Sequence, residues 1–153
     1  MNAQPITHES FADYGQAITP VGDLTPYSDH DAKLFFDGGP IRYYIMQLEH
    51  PGTLLKSMTR HSHCTQCLAS ADAEPWWLAV ATPDPQSNTI AETSIRLFRV
   101  DPGLALKLHS STWHAGPYFL KPIANFYNLE LAHTKVTDHF TRPLTNPIEL
   151  NLA

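Results

Sequence analysis

The chain has few cysteines, no long apolar run and no concentration of basic residues. Its 153 residues include only two cysteines, which are too few for a disulfide framework. No apolar segment approaches the ~20 residues of a membrane span. The ten Lys and Arg residues are scattered among fifteen Asp and Glu residues, without the basic patch of a nucleic-acid-binding protein. The first nine residues lack the basic and apolar regions of a secretory signal. We therefore expect a cytoplasmic protein with reduced thiols that binds neither membranes nor nucleic acids.

Prolines are abundant, and they divide the sequence into short segments. Thirteen prolines argue for many short strands and against long helices. One short helix is expected near the start, capped by Thr7 and ended by Gly15, with Phe11 and Tyr14 on one face. At most a short strand is expected at 33–36, and strands are predicted at 41–48, 53–60, 76–81, 95–100, 104–109, 118–120 and 126–131. This pattern predicts an all-β domain over 1–153, an antiparallel sandwich or barrel with its core at about 33–140 and a C-terminal arm at 141–153.

Histidines provide the first candidate site. His61 and His63 are separated by one residue, and side chains two apart on a strand point to the same face. If His114, from a distant strand, joins them, three imidazoles would form a metal site for Zn, Mn, Fe or Ni with open positions for substrate. The alternative is that these histidines are solvated or hydrogen-bonded without a metal. A divalent transition metal is therefore one hypothesis, and the absence of any cofactor is the other.

Other polar residues lie on strands whose orientation the sequence leaves open. Glu130 shares a strand face with Asn128; it would be a base or ligand if that face points inward, and the favoured interpretation is a solvated carboxylate. Lys107 or its neighbour His109 would supply positive charge for an anionic substrate. Cys64 and Cys67 form a Cys-x-x-Cys, which without a second pair favours small buried residues over a zinc or redox centre.

The histidine motif resembles that of the cupins, which are small β-barrel proteins, but with a departure. In a metal-binding cupin, three or four residues usually separate the His-x-His from a following glutamate. Cys67 and Leu68 occupy those positions here, and Gln66 lies one place earlier. A glutamine is a weak metal ligand, but it is a good hydrogen-bond partner for a carboxylate or a ureido group.

Several segments in order resemble the ureidoglycolate lyase family, also known as ureidoglycolate hydrolases. They are the opening 5–16 (PITHESFADYGQ), Arg60-His61 followed by Gln66, and Trp113-His114 followed by Pro117. Residues 113–117 and 126–131 are similar to a branch of uncharacterised plant and bacterial cupins within that family. The resemblance spans roughly residues 5–140.

The resemblance implies a cupin-like jelly-roll barrel, commonly a homodimer, that splits ureidoglycolate into glyoxylate and urea during purine-nitrogen recycling. It implies that His61, Gln66 and His114 are catalytic, and it leaves His63 as an additional histidine. We add substrate-binding candidates, listed as Arg60, Lys107, Trp113 and Glu130. The alternatives are a metal-dependent cupin acting on another small carboxylate or sugar, and a cupin that binds a small ligand without catalysis. A protein–protein adaptor is disfavoured, because the sequence shows no charge stripe or amphipathic partner helix.

Overall fold

The structure, a computed structural model, describes residues 1–153 and consists mainly of two β-sheets. Its strands are β1 (Ala3–Pro5), β2 (Gly15–Ile18), β3 (Ile41–Glu49), β4 (Leu54–Arg60), β5 (Gln66–Ser70), β6 (Trp76–Ala81), β7 (Arg96–Val100), β8 (Ala105–Leu108), β9 (Trp113–Tyr118), β10 (Ile123–Leu131) and β11 (Phe140–Glu149). The six-stranded sheet has the order β1-β7-β6-β9-β4-β11, and the five-stranded sheet has the order β2-β8-β5-β10-β3. The strands pair antiparallel except β1 with β7. The all-β prediction is therefore confirmed.

Helix is limited to short turns. Helix α1 (His8–Phe11) begins at Thr7, whose hydroxyl accepts a hydrogen bond from the Ser10 amide at 3.0 Å, while the Ser10 hydroxyl accepts one from the Thr7 amide at 3.0 Å. This reciprocal cap satisfies two amide groups that the helix itself leaves free. Helix α2 (Thr134–Thr137) precedes β11, and a 3-10 turn occupies Glu92–Ser94. No helix has the length and apolar character needed to cross a membrane.

Strand β6 is buried on both faces, which explains its uninterrupted apolar sequence. Trp76, Leu78 and Val80 point into a core of fifteen buried residues between the two sheets. The alternate residues, among them Trp77, join a second core of thirteen buried residues on the other side of the six-stranded sheet. A strand covered on both faces has no need for alternating polar residues.

The end of the chain contributes to this second core. Residues 141–153, expected to form an arm over the surface, contain most of β11, which pairs with β4. Leu144, Leu150 and Leu152 are buried in the second core. The C-terminal segment is therefore an edge strand of the six-stranded sheet.

The loop that follows β4 differs from its prediction. Strand β4 ends at Arg60, and residues 61–65 form a loop held by an isolated bridge between Phe36 and Cys64. The short strand considered for 33–36 is reduced to this bridge. The period-two argument for His61 and His63 fails here, because a loop does not alternate its side chains.

The space between the sheets changes from apolar to polar along β10. Ala124 and Phe126 belong to the core, whereas Asn128 and Glu130, on the same face of the strand, are buried polar residues. The solvated interpretation of Glu130 is wrong, since only 1% of this residue is exposed. This polar end of the interior holds the candidate site.

Candidate functional site

A cavity of about 320 Å³ opens at the polar end of the space between the sheets. Its size suits a small metabolite. The loop after β4, strands β5, β9 and β10, helix α2 and the segment after it supply its ionisable and amide side chains: His61, Gln66, His114, Glu130, Lys135 and His139.

Two buried imidazoles lie side by side in this cavity, with ring centroids 5.0 Å apart. The His61 Nδ1 lies 2.6 Å from the backbone oxygen of Asp138, and the His114 Nδ1 lies 3.2 Å from that of Thr112. A carbonyl oxygen only accepts hydrogen bonds, so each Nδ1 carries the proton. In the neutral rings, both Nε2 atoms are therefore the basic nitrogens.

Burial keeps these imidazoles neutral. Removal from water lowers the pKa of His61 below its ordinary value, although the hydrogen bond to Asp138 and the charge of Glu130 partly oppose the shift. Burial, followed by the neighbouring His61, lowers the pKa of His114 to about 3. Between the two, His61 is the stronger base, because a carboxylate favours its protonated form.

Glu130 is held in a hydrogen-bond network that fixes the floor of the cavity. Its carboxylate accepts the Tyr44 hydroxyl at 3.0 Å and the Gln66 amide at 3.2 Å. The Gln66 amide also donates to the Asn128 oxygen at 3.1 Å, and the Asn128 amide donates to the Tyr44 hydroxyl at 3.1 Å. Four side chains from three neighbouring strands thus hold one another in place.

One acceptor in this network is left without a partner. Both hydrogen bonds of Gln66 use its amide nitrogen, which fixes the orientation of the side chain, and its buried Oε1 has no hydrogen-bond partner. Buried polar atoms normally find a partner, so an unsatisfied one at a cavity wall calls for a donor from a ligand. An N–H group of a bound molecule meets that requirement.

The cavity entrance carries positive charge. Lys135 is exposed, and its Nζ lies 5.3 Å from the Tyr44 ring centroid and 3.8 Å from the Met46 sulfur. The exposed His139 ring lies 5.5 Å from the His61 ring, centroid to centroid. An anionic ligand would find an ammonium group and an imidazole at the rim.

The structure brings together His61, Gln66, His114 and Glu130 as predicted site residues, but it places His63 elsewhere. The expected convergence of three histidines is therefore wrong. His63 is exposed, its ring lies 3.1 Å from the Asp37 carboxylate, and it borders a different surface pocket. The reason is the loop after β4, which turns His63 away from His61.

The metal hypothesis does not fit the residues present. No group of three or more His, Cys, Asp or Glu side chains is arranged to hold a metal ion. His61 and His114 form a pair, and the nearby Glu130 carboxylate is already engaged by Tyr44 and Gln66. We therefore derive no chemical step through a metal.

Three substrate-binding candidates do not line the cavity. Trp113 is fully buried in the second core, and the Arg60 guanidinium lies 5.0 Å from its ring and bonds to Asn88. Lys107 lines a separate cleft at the edge of the five-stranded sheet formed by β2 and β8. Arg60, the last residue of β4, and Trp113, the first residue of β9, are the immediate chain neighbours of His61 and His114.

Sequence reasoning missed Tyr44, Lys135 and His139. Tyr44 lies on β3 opposite Asn128, a pairing visible only once the strand order is known. Lys135 and His139 belong to the segment around α2, which the sequence left without assigned structure. Both faces of β3 are mostly apolar in sequence, so no alternation marked Tyr44 as inward-facing.

A comparison with known families agrees with the sequence resemblance. A family model described as ureidoglycolate lyase matches residues 1–141, which includes every side chain of the cavity. No curated protein matches the chain. Because the match covers most of the chain and both imidazole-bearing segments, the protein belongs to the ureidoglycolate lyase family.

Proposed function

We propose that this protein releases urea and glyoxylate from ureidoglycolate in the cavity between the two sheets. Ureidoglycolate carries a hydroxyl group and a ureido nitrogen on the same carbon. When a base removes the hydroxyl proton, the oxygen electron pair forms the aldehyde C=O bond and the C–N bond breaks. The nitrogen takes the electron pair of the broken bond and accepts a proton, so that urea leaves.

The observation that carries this proposal is the pair of buried neutral imidazoles whose basic nitrogens are both Nε2. We assign the base role to His61, because its lowered pKa keeps it unprotonated at neutral pH and Glu130 stabilises the imidazolium that forms. The same imidazolium then returns the proton to the departing nitrogen. His114, with a pKa of about 3, stays neutral and accepts a hydrogen bond from the substrate.

Gln66 is assigned to orient the ureido group. Its unpartnered Oε1 is an acceptor for a ureido N–H, a group that a simple hydroxy acid lacks. A site with a buried unpaired acceptor discriminates against ligands that cannot supply the donor. Lys135 and His139 at the rim are assigned to the substrate carboxylate.

A cupin-like jelly roll is our interpretation of the two sheets, supported by the largely antiparallel pairing and the site at one end of the interior. We infer one domain over 1–153, since both sheets share a core. We propose a homodimer in the cytoplasm. The dimer is supported by exposed Ile41, Tyr43, Ile45 and Tyr127 on the outer side of the five-stranded sheet, because contiguous exposed apolar residues often mark an interface.

The test is a direct assay of glyoxylate released from ureidoglycolate by the purified protein, with and without chelator. We expect turnover that a chelator leaves unchanged, and turnover that is lost on His114→Ala but retained on His63→Ala, the matched histidine outside the cavity. Loss with chelator and recovery with one of Zn, Mn, Fe or Ni would instead support the metal-dependent alternative. Thermal stabilisation by ureido acids without turnover would support a binding protein.

A further inference from the structure

A second cleft, of about 500 Å³, lies at the edge of the five-stranded sheet formed by β2 and β8. Along β8, Leu106 and Leu108 point into the core between the sheets. Lys107 lies between them and takes the opposite face, where it lines the cleft. This cleft shares no lining residue with the cavity of His61 and His114.

Lys107 is a buried cation without an anion. Only 3% of the residue is exposed, and its Nζ forms one hydrogen bond, with the His109 Nδ1 at 3.0 Å. It takes part in no salt bridge. Two of its three N–H donors therefore have no protein partner. A buried charge is costly unless it is paired, so an ammonium in this state favours a ligand of opposite charge.

The hydrogen bonds of His109 determine that Lys107 is the donor in the Lys107–His109 pair. The His109 Nε2 lies 3.1 Å from the backbone oxygen of Ala12, which only accepts, so that nitrogen carries the proton. The Nδ1 is then an acceptor, and Lys107 is the donor to it. The chain of hydrogen bonds runs from Lys107 through His109 to the backbone, and it holds the ammonium at the cleft without neutralising it.

The remaining polar groups of the cleft do not supply the missing negative charge. The Asp29 carboxylate is engaged by Lys33 at 2.9 Å, and the Asp29 side chain is 94% exposed. The rings of His8 and His30 meet edge to face, with centroids 5.5 Å apart. The wall thus offers two lysines and three imidazoles against one carboxylate that already has a partner.

The backbones of β2 and β8 approach each other closely beside Lys107. A Cβ placed on Gly15 would lie 1.9 Å from the backbone oxygen of Lys107. No side chain fits between β2 and β8 at this point. Gln16, the next residue, is held by hydrogen bonds to the backbone of Asp31 and Lys33, which fixes the loop that forms the opposite wall.

We propose that this cleft is a second ligand site, which binds a small oxyanion, a carboxylate or a phosphate, through the Lys107 ammonium. The anion takes the two free N–H donors of Lys107, and the rings of His8 and His30 supply further donors. The site is distinct from the cavity assigned to ureidoglycolate, and it does not depend on that assignment.

The experiment is a calorimetric titration of the full chain with inorganic phosphate and, separately, with acetate, at constant ionic strength set with sodium chloride. The variants are Lys107→Met, the matched control Lys56→Met at an exposed lysine on β4, and His114→Phe in the other cavity. We expect one bound anion in the wild type and in both Lys56→Met and His114→Phe, and at least tenfold weaker binding in Lys107→Met. Tighter binding of phosphate or of acetate identifies whether the cleft prefers a phosphate or a carboxylate, and either result supports the site.

Three results would overturn the proposal. They are no binding of either anion to the wild type, unchanged binding in Lys107→Met, and loss of binding in His114→Phe alone. A second readout needs no variant: phosphate titrated into the wild type should shift the NMR ring resonances of His109 while those of His61 stay unchanged. The reverse order of shifts would assign the anion to the other cavity and contradict the proposal.

Discussion

Replacing Gln66 by leucine tests the floor of the candidate site most sharply. The substitution keeps a side chain of similar reach and removes the amide. It therefore deletes the donor to Glu130 at 3.2 Å and to Asn128 at 3.1 Å, and both acceptors are buried. It also removes the unpartnered Oε1 that we assign to the ureido group.

The expected loss of stability follows from the two buried acceptors that lose their hydrogen-bond donor. An unsatisfied buried neutral acceptor costs about 1–3 kcal/mol, and a charged one costs more. Removal of the unpartnered Gln66 oxygen and burial of apolar leucine atoms offset part of this. We expect Gln66→Leu to lower the free energy of unfolding by roughly 2–4 kcal/mol, which leaves a typical domain folded.

The matched control is Gln47→Leu. Gln47 also donates one amide hydrogen bond, to Asn125 at 3.1 Å, but it is exposed on β3. Its substitution should change stability by less than about 0.5 kcal/mol. Urea unfolding measures both variants. The glyoxylate assay should show at least about a tenfold fall in kcat/KM for Gln66→Leu, the loss of one hydrogen bond to substrate, and no change for Gln47→Leu. Equal stability and equal kcat/KM in the two variants would refute the assignment of Gln66.

Three further results are expected. The pKa of His114 is lowered to about 3 in the folded protein, so on acidification the unfolded chain takes up this proton first. The free energy of unfolding should therefore fall by about 1.4 kcal/mol per pH unit as the pH drops below about 6.5. Urea unfolding should show a weaker dependence of this free energy on pH for His114→Phe, and an equal dependence in the two proteins would contradict the shift. Asp138→Ala removes the acceptor for two backbone amides after His61 and should lower kcat and stability together, whereas unchanged kcat would argue against positioning. Gly15→Ala should prevent folding, judged by circular dichroism, while Gly22→Ala should not, because a Cβ there would meet only the Thr25 hydroxyl at 3.4 Å, an ordinary contact.

The sequence predicted the all-β class because hydrophobic runs and proline boundaries are local signals. The run at 76–81 is strand β6 at the predicted bounds, and the alternation around Leu106 marks β8. Strands β1, β2, β5 and β11 were missed, and the strand predicted at 118–120 overlaps β9 only at Tyr118. Strand β5, for example, is short and has no strong β-forming residues. The N-terminal helix was visible through its capping residue, Thr7, but it ends at Phe11, and Gly15, expected to end it, begins β2.

The site was only partly predictable, because it depends on contacts between distant segments. His61, Gln66 and His114 were identified from ordered motifs, and the structure brings them to one cavity. His63 was misplaced because the end of β4 at Arg60 left no periodic signal. Glu130 was wrongly favoured as a solvated carboxylate, because alternation gives two strand faces and only the opposing sheet determines which one is buried.

The most direct test of the account is glyoxylate release by His61→Asn. An asparagine amide keeps the hydrogen bond to the Asp138 carbonyl that Nδ1 makes, but it removes the basic Nε2. We predict a folded protein whose kcat falls by about a hundredfold or more, the usual contribution of a general base. A folded His61→Asn protein that releases glyoxylate at the wild-type rate would contradict the claim that this imidazole is the base.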